Sequence, residues 1–191
     1  WKAPVAGIWS NASNWELLHV PNSGEIATFD PTKSNLNCTI DVPPNIAGLE
    51  MKSAYTGTIT QNAGQTAAIG SSGFIIASGT FNSNASITVN GGVQLNGGTL
   101  ILGSAAHTVS GNWINNGATV TAGASAVTFN AAPGAAITIQ PGTINADFNN
   151  VTFTNAGGAQ TTYNLSSAVG QQFTARGNLV ISGSAQLNNA S

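Results

Sequence analysis

The residues able to do acid–base or metal chemistry are few and unevenly placed. Beyond residue 52 the charged residues and histidines are Asp147, Arg176 and His107 alone. The other five carboxylates lie near the start, at Glu16, Glu25, Asp30, Asp41 and Glu50. Glycoside hydrolysis needs a pair of carboxylates, and a calcium cage needs several oxygen ligands. A lone Asp147 meets neither need and the early acids are scattered, so we predict that the chain is not an enzyme and has no catalytic residues.

Cysteine and histidine offer no better site. Cys38 is the only cysteine, which excludes a disulfide within one chain and a zinc site built from several thiolates. It lies in an apolar run, so we expect a small buried hydrophobe. His19 and His107 have no companion ligands near them in the sequence. We therefore predict no metal site and no cofactor.

Tryptophans near the start could bind a ligand without catalysis. Trp1, Trp9 and Trp15 would form a platform for stacking sugar rings if their faces were exposed. The alternative is that they close one end of the fold, since large aromatic side chains contribute most when they are buried. Both interpretations stay open at this point, with burial the favoured one.

Threonines suggest a further kind of surface. Thr-x-Thr pairs occur at Thr58/Thr60, Thr119/Thr121 and Thr152/Thr154. On a solenoid such pairs can stack into a face that orders water and binds ice. Their separations are not multiples of the repeat described below. They are therefore expected not to form one array unless insertions restore the register.

The element that must position these residues is a repeat with a period of 19. It occupies 73–91, 92–110 and 111–129, and glycines recur at its first and seventh positions. Short apolar runs between glycines favour strands, and a period near 20 is typical of a solenoid. We predict an all-β fold, a parallel β-helix of about 19 residues per turn with about seven turns over 57–191. Ile75, Leu95 and Ile114 should point inward. The predicted corner glycines are Gly73, Gly79, Gly92, Gly98, Gly111, Gly117, Gly177 and Gly183.

The composition is that of one repetitive domain, and the distribution of charged residues divides this domain into two parts. Only 5% of residues are charged and the net charge is −2. A binding surface for nucleic acid is therefore not expected, and no apolar run is long enough to be inserted in a membrane. Nearly all charges precede residue 53. We predict an N-terminal cap with short strands over 1–56, and solenoid repeats over 57–191 that are open at the C-terminal end.

Several segments resemble one group of repeat proteins. The runs GNWINNG at 111–117, VTFN at 127–130, FNNVTF at 148–153 and GNLVISG at 177–183 are similar to repeats of secreted bacterial β-helix surface proteins, the autotransporter passengers and adhesins. Ile8-Trp9-Ser10, Asn14-Trp15 and Ala27-Thr28-Phe29 resemble the start of such domains. The resemblance implies a right-handed parallel β-helix in a secreted, extracellular or cell-surface protein, and no catalytic residues.

The functional expectation follows from these points. We expect a non-catalytic structural or adhesive solenoid, a building block of a surface filament or stalk. Its partner would be a second copy stacked head to tail, or the continuation of a longer solenoid. The alternative is a polysaccharide-binding module or a carbohydrate-active β-helix protein that contacts surface glycans.

Overall fold

The computed structural model describes residues 1–142, 147–155, 157–166 and 173–190. These residues form short parallel strands joined by tight corners. In chain order the strands are β1 Gly7–Ile8, β2 Ile26–Phe29, β3 Cys38–Ile40, β4 Asn45–Met51, β5 Thr58–Gln61, β6 Ala67–Ile76, β7 Thr80–Asn82, β8 Ile87–Val89, β9 Val93–Leu95, β10 Thr99–Ile101, β11 Ala106–Val109, β12 Trp113–Asn115, β13 Thr119–Thr121, β14 Ala126–Ala131, β15 Ala136–Gln140, β16 Asp147–Phe148, β17 Asn150–Asn155, β18 Thr161–Ser166, β19 Thr174–Ala175, β20 Leu179–Ile181 and β21 Ala185–Ala190. The helical part of the described chain is a 3₁₀ turn at Ala12–Asn14. None of the described residues form a helix that could span a membrane.

The strands stack into three faces of a β-solenoid. Face 1 consists of β1, β3, β5, β7, β10 and β13. Face 2 consists of the first halves of β4 and β6 followed by β8, β11, β14, β17 and β20. Face 3 consists of β2, the second halves of β4 and β6, and then β9, β12, β15, β18 and β21. β16 pairs with β19, at the place in chain order that face 1 strands occupy in earlier turns. The predicted solenoid is confirmed.

The length of a turn varies more than the sequence repeat suggests. The solenoid has about seven turns of about 22 residues each, so the average turn is longer than the period predicted from the sequence. The paired residues Thr80 and Thr99 are separated by a short segment of chain, whereas the segment between the paired residues Val151 and Leu179 is much longer. The additional residues of the longer turns therefore form loops at the corners, and the strands keep their pairing. The repeat seen over 73–129 is the most compact part of the coil.

Strands on both sides of residue 56 pair with one another. Cys38 pairs with Ile59 on face 1, and Leu49 pairs with Phe74 on face 3. The N-terminal segment thus contributes the first strands of the same faces. The domain boundary at residue 56 stays a prediction.

One column of core residues was predicted incorrectly. Leu95 is fully buried, but Ile75 and Ile114 are half-buried and lie on the outer side of face 3, where both pair with Gln94. Face 3 instead has two core columns in these turns, Phe74 with Val93 and Trp113, and Ile76 with Leu95 and Asn115, all buried. Successive strand residues point to opposite sides, so an error of one residue reverses the face.

The core is sealed by aromatic contacts and buried amides instead of charges. The rings of Phe129 and Phe153 are stacked, with centroids 5.2 Å apart. At one corner the Asn115 side chain accepts hydrogen bonds from the amides of Gly117 and Ala118 and donates to the Pro141 carbonyl. Buried backbone groups that leave the ladder at a corner are therefore still paired.

The predicted corner glycines meet two different steric demands. Positive φ occurs at Gly73, Gly79, Gly98, Gly117 and Gly183. Gly92, Gly111 and Gly177 lack it, but a Cβ at Gly111 would lie 2.6 Å from the Gly91 carbonyl carbon of the preceding turn. Both demands arise where the chain changes face against the backbone of the turn before.

We predict that Gly98→Ala destabilises the fold more than Gly64→Ala does. Gly98 has φ +70° and a Cβ there would lie 2.5 Å from the Gly79 oxygen, whereas Gly64 has φ +79° with open space around it. Positive φ costs an alanine about 1–2 kcal/mol at either position. The contact adds roughly 1–3 kcal/mol at Gly98. Urea unfolding of both variants measures the difference, and equal losses would contradict the role of the contact.

Candidate functional site

The three N-terminal tryptophans are buried and do not form an exposed platform. Trp1, Trp9 and Trp15 are 4%, 0% and 3% exposed. The Trp15 ring meets Trp1 and Trp9 edge to face, and all three surround Phe29. The Trp15 indole N–H donates to the Trp9 carbonyl at 2.8 Å. Their geometry is that of a packed aromatic cluster at the first turn.

A cavity of about 310 Å³ opens beside this cluster. Trp1 and Trp15 contribute to its wall together with Leu17 and Ile26, which are 68% and 51% exposed. Glu16 and Glu25 also line it. For the glycan-binding hypothesis, the structure therefore offers a partly apolar cavity instead of stacked rings.

The carboxylates at the cavity already have partners. Glu25 lies 3.3 Å from the His19 imidazole and accepts hydrogen bonds from the amide and side chain of Asn22. Glu16 lies 3.3 Å from the Lys33 ammonium. These contacts hold the loop that precedes β2. They do not arrange an acid and a base around a common substrate position.

The next two acids also stabilise local structure. Asp30 accepts from Lys52 at 2.8 Å and from Thr32, and these hydrogen bonds hold the pKa of its carboxyl well below the usual range. Burial alone would raise the pKa of Asp41, but hydrogen bonds from the Ser10 hydroxyl and amide outweigh it and lower that pKa. Both acids are therefore ionised partners of neighbouring loops.

The remaining candidates are not brought together. Across the described residues no three His, Cys, Asp or Glu side chains are grouped as a metal site requires. Cys38 is buried as expected, and burial raises the pKa of its thiol. Asp147 begins β16, but its side chain is outside the described part of the structure.

His107 is buried on the inner side of face 2. Its Nε2 lies 2.9 Å from the Leu102 carbonyl, and its Nδ1 accepts from the Ile87 amide at 3.3 Å. The proton is therefore on Nε2. Burial lowers the pKa of the imidazole, which outweighs the opposing effect of the bond to Leu102. A neutral histidine with both ring nitrogens engaged fits a core position.

Face 1 carries a regular column of threonines that the 19-residue period alone did not place in register. On face 1 the outward residues Thr58, Thr80, Thr99 and Thr119 lie in one column, each paired with the next. The spacing between successive members differs from turn to turn, so unequal turn lengths restore the register. Thr58/Thr60 and Thr119/Thr121 therefore share an array, because turns of unequal length restore the register, which is the exception that the sequence analysis allowed. Thr152 lies on face 2, in a separate column.

A second column runs beside the first on face 1. It contains Thr39, Thr60, Asn82, Ile101 and Thr121 in register. The recurring triplets TIT, TFN, TLI and TVT are its sequence signal. Only an alignment that allows a different length for each turn would have revealed it.

Comparisons with family models, with curated proteins and with solved structures found no match for this chain. The resemblance to secreted bacterial surface proteins therefore stays a prediction.

We predict that His107 makes the fold sensitive to mild acid. Its folded pKa is below the ordinary value of 6.5, so the unfolded chain binds the proton first. Stability should fall as the pH drops below 6.5 towards the folded pKa. Melting temperatures of wild type and His107→Leu between about pH 5 and 7.5 isolate this contribution, because that range lies above ordinary carboxyl pKa values. The same slope in both proteins would contradict the prediction.

Proposed function

We propose that this chain is a non-catalytic structural and adhesive β-solenoid of the cell exterior, in which a further turn covers the last described turn, either from a second copy stacked head to tail or from the continuation of a longer solenoid. The observation that carries the proposal is the last described turn. Leu179 and Ile181 are in register with the core residues Val151 and Phe153, yet they are 49% and 50% exposed. Their inward positions are those of core side chains that another turn would cover.

The backbone at this turn is also available for pairing. Among the described strands, β20 pairs only with β17, and β21 pairs only with β18. Edge strands that expose unpaired backbone groups and apolar side chains are templates for adding another strand. A parallel stack continues in the same direction, so such contacts are head to tail and propagate.

The opposite end of the solenoid has matching features. β1 pairs only with β3 and β2 pairs only with β4 within the described residues. Ile8 and Ile26, on these strands, are 45% and 51% exposed but lie on the outer sides of their faces, and Trp1, Trp9 and Trp15 close the core at this end. The matching feature is therefore the unpaired backbone edge of β1 and β2. No charged residue occurs from 177 to 190, so electrostatic repulsion does not oppose the approach of the two ends. An extracellular location is part of the same proposal and is supported by the sequence resemblance.

We expect the purified chain to assemble into filaments as its concentration rises. Leu179→Lys combined with Ile181→Lys should prevent assembly, because it places charge on the uncovered end of the core. Val180→Lys is the matched control, since Val180 lies on the same strand but pairs with Thr152 on the outer side. Light scattering over a concentration series and negative-stain electron microscopy measure the outcome. A wild type that stays monomeric at the highest concentration would contradict head-to-tail stacking of copies.

We also expect no turnover of polysaccharides. Described carboxylates at the cavity are engaged with neighbouring loops, which supports a non-catalytic role. A broad polysaccharide panel, followed by reducing-end release and by the absorbance of unsaturated products, measures hydrolysis and elimination. Turnover that is lost in Arg176→Ala would count against this expectation. Binding without turnover would favour the polysaccharide-binding alternative.

A further inference from the structure

We propose that face 1 orders water through its threonine columns and binds ice. This activity is independent of end-to-end stacking, because it uses the side of the solenoid. In the first column, Thr58, Thr80, Thr99 and Thr119 present the same side chain on four consecutive strands of face 1.

The spacing of these side chains is set by the backbone. Neighbouring strands lie about 4.8 Å apart, and alternate residues of one strand lie about 6.6 Å apart. The two columns of face 1 therefore form a grid of side chains with fixed repeats in two directions. Ice is a hydrogen-bonded lattice with repeats of a few ångströms in two directions of each crystal face, so a grid is the arrangement that can match it.

The hydroxyl groups of the first column are available to water. None of the four donates to, or accepts from, another protein group in the described chain. Each hydroxyl can donate once and accept twice, and water bridges between such groups are nearly as favourable as direct hydrogen bonds. The methyl group beside each hydroxyl restricts the orientations of adjacent water molecules. On every strand, therefore, the threonine hydroxyl binds water and the threonine methyl group restricts the orientation of that water.

Buried side chains and backbone hydrogen bonds fix the positions of the two columns. The residues between the two columns point inward, and Ile59, Phe81, Leu100 and Val120 are 0–4% exposed. Backbone hydrogen bonds join the strands at their corners, such as Thr99 N to Gly79 O and Thr119 N to Gly98 O, both at 2.9 Å. A surface that is ordered before binding loses little conformational entropy when water freezes onto it.

The chemistry of the face argues against other ligands. No strand of face 1 contains a charged residue, so phosphate groups and metal ions have no partner in it. Its one aromatic residue, Phe81, is fully buried, so it offers no ring for stacking sugars. Face 1 presents a neutral surface with threonine at every position of the first column from Thr58 to Thr119, and with Asn82 and Ile101 among the threonines of the second column.

Strand preference alone does not account for the columns. Threonine favours strands, and Thr–Thr neighbours stabilise sheets. The outward column of face 3 in the same turns nevertheless reads Ile75, Gln94, Ile114 and Gln140. Face 2 has a threonine column as well, with Thr88, Thr108, Thr128 and Thr152, but alanines Ala106 and Ala126 occupy the column beside it. Face 1 has two Thr-x-Thr pairs in register, Thr58/Thr60 and Thr119/Thr121, whereas the described strands of face 2 have one, Thr152/Thr154.

The test measures ice growth with the full chain. Wild type should show thermal hysteresis in a nanolitre osmometer and should be enriched in a slowly growing ice hemisphere. Thr99→Tyr should abolish most of both signals, because the larger ring interrupts the grid at its centre. Thr119→Tyr, at an exposed position of the same column, should act in the same direction with less risk to folding. Thr108→Tyr, on face 2 of the same turn, is the matched control and should retain activity. Thermal melts verify that each variant is folded.

Three outcomes would overturn the proposal. The first is a folded wild type that neither shows hysteresis nor enters ice. The second is an equal loss in Thr108→Tyr and Thr99→Tyr, which would remove the assignment to face 1. The third is adsorption to insoluble cellulose or chitin that is lost in Thr99→Tyr while ice growth is unaffected, which would assign the face to a flat glycan.

Discussion

Hydrogen bonding between the backbones of successive turns is the constraint on which the whole molecule depends. Each strand must return beside its predecessor in parallel register, as Gly111 does when its amide donates to the Gly91 carbonyl at 3.0 Å. A slip of one residue would lose the ladder and turn the core column outward. Glycine corners, buried asparagines and aromatic columns all serve this return. Most of the sequence therefore keeps register, and little of it supplies reactive groups.

This constraint explains why function is better sought in repetition than in a cluster of side chains. A conventional active site gathers titratable groups from separate elements into one cavity. Here the carboxylates of Asp30 and Asp41 bind adjacent loops, and the interior is sealed by neutral amides such as Asn115. Stacking repeats the outward side chains of each strand from one turn to the next. A weak interaction made by one outward side chain is therefore multiplied across a whole face.

Sequence patterns predicted the class of fold and much of its detail. The runs VTFN at 127–130 and GNLVISG at 177–183, which resemble solenoid repeats, contain residues of strands β14 and β20. At several positions of the glycine frame, positive φ or close approach of backbone atoms restricts the residue to glycine. Ile75 and Ile114 were misplaced since counting residues across a corner does not determine which side of the next strand faces inward. The threonine grid was missed for the same reason, as corners of unequal length conceal the pairing of Thr58 with Thr80.

The unequal length of the turns has an evolutionary consequence. The chain between the paired residues Thr80 and Thr99 is much shorter than the chain between Val151 and Leu179, yet strand stacking continues through both regions. Insertions and deletions that fall at corners thus alter the outline of the solenoid and leave the faces intact. Those that fall inside a strand reverse every side chain beyond them. Natural variants should accumulate length differences at corners only, so that the loops diverge freely while the faces are inherited as fixed surfaces.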